Sequence, residues 1–239
     1  MILKAVIFDQ DGVLVDTEYL KTDSVNATIL HFGGTKTYTY EEKHQYAGMR
    51  AKDLFKIISE ENNLSITFEE YREYQLKVFF ELLKSSPPVP IDGVVQLIKA
   101  LKENGIKVGV GTGSTRESSN TALEYCGLSE FFEAVVCADD VENGKPAPDT
   151  FLLVAEKLGV ASENCVVVGD SHNDRIGAKI AGMKFVFYRP KLQARLGRIY
   201  EDERVDTYNN HKGEYPDEHT PDIVIESFLD LRIEQLQSL

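Results

Sequence analysis

Cysteine is scarce in this sequence of 239 residues, which contains only Cys126, Cys137 and Cys165. These residues show neither a CxxC spacing nor the density of a disulfide-stabilised scaffold, and each lies in an apolar stretch. We therefore predict reduced thiols in a protein core and exclude the small disulfide-rich folds.

Long apolar runs are also missing. No run approaches the roughly 20 residues that a helix needs to cross a bilayer. The first residues, "ILKAVIF", have the pattern of a strand and lack the basic, apolar and small-residue regions of a secretion signal. We expect a cytoplasmic protein that has no membrane partner.

Positive charge is in deficit, because 26 Lys and Arg residues stand against 39 Asp and Glu residues and the net charge is −13. This charge argues against nucleic acid or an anionic membrane as a partner. An anionic small molecule would need local cations or a metal ion to hold it. The sequence leaves a monomer and a homodimer both open.

The chain does contain short apolar strands that alternate with helical patterns. Several strands are almost continuously apolar, which is typical of a parallel sheet with helices on both faces. We predict a parallel α/β sheet with strands at 3–8, 106–112, 134–138, 165–169, 185–188 and 223–225. Ser114 and Glu117 have the spacing of a capping box at the start of the helix after the second strand.

One interval, 17–86, shows only amphipathic helical patterns. Thr39 with Glu42 and Thr67 with Glu70 have capping-box spacing, and the proline-rich "SSPPVPIDG" closes the interval. We predict a small all-helical domain at 17–86, inserted into a core formed by 1–16 and 87–239. A second irregular stretch, 191–220, is predicted to be a solvated surface loop, with a dimer contact or a substrate contact as alternatives.

Residues able to do chemistry follow four consecutive strands of the predicted sheet. Because ligands of a parallel sheet bind beyond the carboxyl ends of its strands, we expect these residues to form one site. In chain order they are Asp9 and Asp11, then Thr112 and Gly113, then Lys145, and last Asp170 and Asp174.

Asp9, Asp170 and Asp174 would supply hard oxygen ligands, and a cation among them would relieve their mutual repulsion. A partly hydrated site of a few carboxylates and a phosphate oxygen suits Mg²⁺. Taken singly, each aspartate could instead belong to a turn or a helix cap. A calcium loop is disfavoured because no EF-hand continuation follows the DxDG segment.

The remaining residues fit phosphoryl transfer. The Thr112 hydroxyl and the Gly113 N–H lie at a predicted helix start, which favours anion binding, and Lys145 adds a positive charge. Asp9 can then attack phosphorus, while Asp11 can protonate the leaving oxygen and later activate water. Helix capping and a solvated loop lysine are the alternatives for these residues when each is taken alone.

The segments "FDQDGVL", "GTGST", "GKPAPDTF" and "GDSHND" resemble, in order, the four motifs of the haloacid dehalogenase-like hydrolase superfamily. The likeness is greatest to its phosphatase and β-phosphoglucomutase-like branch, and the interval 17–86 is similar to the cap of that branch. The resemblance implies a Rossmann-like α/β fold with a sheet of strand order 5-4-1-2-3 and a phosphoaspartyl intermediate on Asp9. It also implies acid/base work by Asp11, phosphate contacts from Thr112 and Lys145, and Mg²⁺ held by Asp9, the Asp11 carbonyl and Asp170, with Asp174 acting directly or through water.

The cap segment "YAGMRAKD" resembles the specificity loop of this family and points to Gly48 and Arg50, although a solvated arginine is an alternative. The β-phosphoglucomutases carry a histidine where this chain has Lys21, and their loop arginine lies three residues after the glycine rather than two. Dehalogenation is disfavoured because Asp11 is present. A phosphonate hydrolase would need a Schiff-base lysine such as Lys21 or Lys52, which is also disfavoured.

We therefore expect a Mg²⁺-dependent phosphatase for a small phosphorylated metabolite, such as a sugar or polyol phosphate. A β-phosphoglucomutase-like mutase is the main alternative. A non-catalytic regulatory protein is a further alternative, in which 191–220 would form the partner surface.

Overall fold

The computed structural model describes residues 2–44, 46, 51–189 and 220–239. Within these ranges, six strands form one parallel sheet in the order β3-β2-β1-β4-β5-β6. The strands are β1 Ala5–Phe8, β2 Lys107–Gly111, β3 Ala134–Val136, β4 Cys165–Gly169, β5 Lys184–Tyr188 and β6 Ile223–Ile225. The predicted strands and the predicted order 5-4-1-2-3 are confirmed, and β6 extends the sheet beyond β5.

Helices connect the strands and also fill the interval between β1 and β2. They are α1 Glu18–His31, α2 Tyr40–His44, α3 Ala51–Asn62, α4 Phe68–Ser85, α5 Val94–Glu103, α6 Arg116–Tyr125, α7 Asp149–Leu158, α8 His172–Ile180 and α9 Ile233–Gln237. Among the described residues, no helix combines the length and the apolar character needed to cross a membrane.

The sheet is buried on both faces, as the near-continuous apolar strands predict. In β1, Val6 and Phe8 belong to an apolar cluster that includes residues of α5, α6 and α9. Ala5 and Ile7 point to the opposite face, where they belong to a cluster with α7 and α8. Cys137 and Cys165 are buried and Cys126 is half-buried, and all three are free thiols. The outer helices therefore cover a central β1 from both sides.

Helices α1 to α4 have apolar clusters of their own. One cluster joins Val25 and Ile29 of α1 to Ile58 of α3 and Tyr71 of α4. A second joins Leu20 of α1 to α4. Both predicted capping boxes of this interval are present, since each glutamate carboxylate accepts from the N–H of its threonine while the threonine hydroxyl accepts from the glutamate N–H.

The chain leaves the sheet for these helices and returns to it at neighbouring points. The Ile91 N–H donates to the Leu14 carbonyl at 2.9 Å, and the Asp16 N–H donates to the Val89 carbonyl at 3.4 Å. Val15 and Pro90 form an antiparallel bridge between these pairs. The outgoing and returning segments thus hold each other beside the end of β1.

Asp222 attaches the last strand to the rest of the sheet. Its carboxylate accepts from Lys179 of α8, from Lys184 at 3.1 Å and from the Phe185 N–H at 2.8 Å. The predicted surface stretch 191–220 lies outside the described residues except for Thr220, so its role stays a prediction.

Candidate active site

Three carboxylates meet at the carboxyl end of the sheet. Asp9 follows β1 and Asp170 follows β4, and the pairing of Phe8 with Val168 brings these two strand ends side by side. Asp174 lies in the first turn of α8. One carboxylate oxygen from each of the three aspartates lies within 4.8 Å of the others. The structure therefore brings together the three residues predicted as side-chain ligands of a metal ion.

Two glycines allow this close approach. Gly12 has a φ of +87°, and a Cβ placed on it would lie 2.2 Å from Asp170 Oδ2. A Cβ on Gly169 would lie 2.6 Å from the Cβ of Asp174. A side chain at either position would displace a carboxylate of the cluster, and Gly12 also has a backbone conformation that other residues rarely adopt.

The residue between the two N-terminal aspartates fixes their loop. Gln10 is fully buried, and its Oε1 accepts a hydrogen bond from Ser119 Oγ of α6 at 2.5 Å. Its carbonyl accepts from the Leu14 N–H at 2.8 Å, which folds the chain back directly after Asp11. The loop that carries both aspartates is therefore anchored to the core through Gln10.

Lys145 places its ammonium group between two of the carboxylates. Its Nζ lies 2.6 Å from Asp9 Oδ1 and 2.5 Å from Asp174 Oδ1, and its side chain is only 8% exposed. Burial opposes the charge of this lysine, but Asp174 and Asp9 outweigh that effect and raise its pKa. Lys145 therefore supplies a fixed positive charge in the acidic cluster.

One ammonium group does not neutralise three carboxylates. Burial, followed by repulsion from Asp174, raises the pKa of Asp9 to about 7, although Lys145 opposes this rise. Burial, Asp9 and Asp174 raise the pKa of Asp170 well above its usual range. Surplus negative charge on clustered hard oxygen donors is what a divalent cation such as Mg²⁺ would compensate, so the residues fit such an ion.

Asp11 has different surroundings. Its Oδ1 accepts from the Thr17 hydroxyl, and its Oδ2 accepts from Ser114 Oγ at 2.7 Å and pairs with Lys21 Nζ at 2.8 Å. Its carboxylate therefore has three donors, from the start of α1, from α1 itself and from the loop after β2. The two aspartates of the DxDG segment thus occupy distinct electrostatic environments.

The prediction that Ser114 caps the helix after β2 is wrong. Thr115, rather than Ser114, caps α6 by accepting from the Ser118 N–H, because the Ser114 hydroxyl donates to Asp11 instead. Thr112 is buried and its hydroxyl accepts from the Ser114 N–H at 3.1 Å, whereas Gly113 is exposed. Thr112 and Gly113 therefore follow β2, the strand that pairs with β1, in the loop from which Ser114 reaches Asp11.

Sequence reasoning missed Thr17 and Ser114. Both stand at helix starts, where a hydroxyl ordinarily caps the helix, so their position in the sequence does not indicate a contact with Asp11. In the structure, the Thr17 side chain makes no capping hydrogen bond to α1. Lys21 was noted for its place in the sequence, but its ion pair with Asp11 was not predicted. Gly48 and Arg50, the predicted cap residues, lie outside the described residues.

The surroundings of Lys21 also bear on the disfavoured phosphonate hydrolase activity. Burial opposes its charge, but Asp11 and Glu18 outweigh that effect and raise its pKa. A Schiff base requires the neutral amine. These surroundings therefore disfavour the role that a phosphonate hydrolase would need from Lys21.

Comparison with known proteins identifies a family. The family model described as haloacid dehalogenase-like hydrolase matches residues 6–188. The phosphorylated carbohydrates phosphatase of Thermotoga maritima is 32% identical over 189 residues, which cover 77% of this chain and 84% of that protein. The pyrophosphatase PpaX of Bacillus cereus is 32% identical over 184 residues, with 77% and 82% covered.

A solved structure shows the same fold over almost the whole chain. The β-phosphoglucomutase of Clostridium difficile is similar with a TM-score of 0.78 at 22% identity, over 99% of this chain and 96% of that one. At this identity the likeness concerns the fold alone.

Proposed function

Because the chain belongs to the haloacid dehalogenase-like hydrolase family, whose curated relatives here include phosphatases, we propose that it is a Mg²⁺-dependent phosphatase. Its substrate in this proposal is a small phosphorylated metabolite, a sugar or polyol phosphate, and the reaction proceeds through a phosphoaspartyl intermediate on Asp9. The name of the Thermotoga maritima relative, a phosphatase of phosphorylated carbohydrates, supports this substrate class.

The observation that carries the proposal is the different environment of the two neighbouring aspartates. Asp9 lies in the buried acidic cluster, where Lys145 binds its Oδ1. Asp11 lies outside that cluster and is bound by two hydroxyl groups and Lys21. One aspartate is thus set beside positive charge that would receive a phosphate, and the other is set to exchange protons.

The reaction follows from these positions in two steps. In the first, an Asp9 oxygen forms a bond to phosphorus, the bond between phosphorus and the substrate oxygen breaks, and Asp11 gives a proton to that oxygen. In the second, water attacks the phosphorus and yields a proton to Asp11. The bond between phosphorus and Asp9 then breaks and inorganic phosphate leaves. Thr112, Gly113 and Lys145 orient the phosphoryl group in both steps.

Asp9, Asp170 and Asp174 would hold Mg²⁺ through carboxylate oxygens, together with the Asp11 carbonyl. When bound, the ion would compensate carboxylate charge and polarise the phosphoryl oxygens. Lys145 already bridges Asp9 and Asp174, so it keeps these two carboxylates together and limits their repulsion.

Helices α1 to α4 form the cap in this proposal, as a domain at 17–86 inserted into a core of 1–16 and 87–239. Their separate apolar clusters support the division. Gly48 and Arg50 would contact the part of the substrate that does not react. Free, mostly buried cysteines agree with a reducing compartment, so we also place the protein in the cytoplasm.

A panel of phosphorylated metabolites with Mg²⁺ tests the proposal if free phosphate and isomerised product are followed together. We expect phosphate release that needs Mg²⁺, and Asp9→Asn should lower kcat by about 1000-fold or more, as expected when a nucleophile is removed. Asp92→Asn, at an exposed aspartate, is the matched control.

Three results would contradict the proposal. Retained activity in Asp9→Asn would reject the nucleophile. Isomerisation of β-glucose 1-phosphate faster than its hydrolysis would favour a mutase. Failure to turn over any phosphate ester would favour a non-catalytic role.

A further inference from the structure

Four side chains of alternating charge extend from Asp11 into the helices of the proposed cap. Lys21 Nζ lies 2.8 Å from Asp11 Oδ2 and 3.2 Å from Glu18 Oε1. The second oxygen of Glu18, Oε2, lies 3.7 Å from Lys43 Nζ. We call Asp11, Lys21, Glu18 and Lys43 the charge line.

The charge line is shielded from water. The side chains of Glu18 and Lys43 are each 11% exposed, and that of Lys21 is 24% exposed. Ion pairs with so little exposure are weakly screened, and removal of one partner leaves a buried charge unpaired. The position of each member therefore constrains its neighbours more strongly than a surface ion pair would.

The line also joins two parts of the fold. Asp11 belongs to the loop after β1, whereas Lys21 and Glu18 belong to α1 and Lys43 belongs to α2. Leu20, next to Lys21 in the chain, is buried against Phe79 and Leu83 of α4. Packing between α1 and α4 thus fixes the point from which Lys21 reaches Asp11.

We propose that Lys21 is a positioning residue for Asp11 and that Glu18 and Lys43 hold Lys21 in place. Lys21 and Ser114 both bind Asp11 Oδ2, from opposite parts of the chain, and so set the direction in which this carboxyl group exchanges protons. The inference rests on the proposed function, because it assumes that Asp11 is the acid and base.

A direct substrate-binding role for Lys21 is the main rival. Two carboxylates already contact its ammonium group, within 2.8 Å and 3.2 Å, which favours a role directed at Asp11. The two roles differ in kinetics, because positioning of the acid affects the chemical step whereas substrate binding affects KM.

Two aryl phosphates separate these roles, and both are used with Mg²⁺. Phenyl phosphate has a basic leaving group that needs a proton, whereas p-nitrophenyl phosphate has a good leaving group that needs little help. Lys21→Met should lower kcat/KM for phenyl phosphate by about 100-fold and for p-nitrophenyl phosphate by about 10-fold or less. Lys21→Arg should restore most of the loss.

Lys43, at the end of the charge line farthest from Asp11, gives a second test. Lys43→Met should change the same substrate ratio in the same direction but by a smaller factor. The double variant Lys21→Met/Lys43→Met should be no worse than Lys21→Met, because Lys43 acts only through Glu18 and Lys21 in this proposal. Lys36→Met, which removes a half-exposed cap lysine paired with Glu61, is the matched control and should leave the ratio unchanged.

The kinetic comparison requires that each variant is folded. Circular dichroism and thermal melting check that each variant is folded. Lys21→Gln replaces Lys21→Met in the kinetic comparison if Lys21→Met does not fold. An unchanged substrate ratio, a rise in KM with constant kcat, or additive effects in the double variant would each overturn the inference. If the wild type is active and Asp9→Asn is inactive in that case, the proposed function stands without it. If the wild type releases no phosphate, or Asp9→Asn keeps its activity, the proposed function itself fails.

Discussion

At the residue scale, Asp170 is a candidate metal ligand whose charge lowers the free energy of unfolding when no cation is bound. It is half-buried beside Asp9 and Asp174, and these surroundings raise its pKa well above the usual range. A carboxyl group with a raised pKa holds its proton more tightly in the folded chain than in the unfolded chain. Its contribution to the free energy of unfolding therefore falls as the pH rises from the unfolded pKa, about 4, toward the folded pKa.

Asp170→Asn removes this unfavourable charge. In the presence of a chelator at pH 8, we expect the variant to be more stable than the wild type by about 1 kcal/mol or more, a rise in Tm of about 2–4 °C. The gain should be smaller at pH 5, because the raised pKa lets the wild-type carboxyl group regain its proton as the pH falls. Calorimetry at both pH values measures the difference.

Addition of Mg²⁺ should reverse the order of stability. The wild type should gain Tm with rising Mg²⁺, while Asp170→Asn should gain less and lose most of its phosphatase activity. Asp92→Asn serves as the control for the loss of one exposed negative charge. Equal stabilisation of Asp170→Asn and the wild type by Mg²⁺ would count against a metal site at Asp170.

The residues of the acidic cluster could be predicted because each follows a strand of a parallel sheet, where the topology itself brings them together. Lys145 could be predicted for the same reason. Thr17 and Ser114 could not, because serine and threonine at a helix start are explained locally by capping. Only the folded chain shows that their hydroxyl groups donate to Asp11.

At the scale of elements, Asp222 connects the start of β6 to β5 and α8. Burial opposes its charge, but hydrogen bonds from Lys179, the Phe185 N–H and Lys184 outweigh that effect and lower its pKa. A carboxyl group with a lowered pKa stabilises the fold above the unfolded pKa and loses this contribution as the pH falls through the folded pKa.

Asp222→Ala should therefore lower the free energy of unfolding at pH 7 by about 1–3 kcal/mol, because it leaves the Phe185 N–H and two ammonium groups without this acceptor. The deficit should diminish as the pH falls below the unfolded pKa, about 4, because the unfolded chain then binds a proton that the folded carboxylate binds only at lower pH. Urea unfolding at pH 7 and at pH 3 measures both values. Asp230→Ala, at an exposed aspartate, is the control, and an equal deficit at the two pH values would contradict the electrostatic explanation.

Element positions followed closely from the sequence, and the exceptions have physical causes. The strands were recognisable because burial on both faces makes them almost purely apolar. The start of α6 was misplaced by one residue, because Ser114 and Thr115 can both cap a helix and the choice depends on Asp11, which is distant in the sequence.

At the scale of the whole molecule, the net charge of −13 opposes the approach of an anionic substrate. Lys21 and Lys145 are bound to carboxylates, so their charges are largely compensated within the structure. Long-range repulsion is screened by salt, whereas contacts inside a buried site are screened much less.

We therefore expect kcat/KM for p-nitrophenyl phosphate to rise about two-fold or more as KCl increases from about 0.01 M to about 0.15 M at fixed Mg²⁺. The value of kcat should change little, because it describes the reaction of substrate that is already bound. Steady-state kinetics across the salt series checks both quantities. A fall in kcat/KM from the lowest salt onward would instead mean that the potential at the mouth of the site is positive.

The adjacent exit and return of the chain at Val15 and Pro90 have a consequence for how the fold tolerates change. Because these segments already hydrogen-bond to each other, the core does not depend on the length of chain between them, and loop-closure entropy grows only slowly with that length. We therefore expect that helices α1 to α4 can be exchanged for another module, or cut out and replaced by a tight turn, without separating the strands of the sheet. Such a graft would retain the acidic cluster but lose Lys21. Substrate selectivity could then be changed independently of Asp9, the proposed nucleophile.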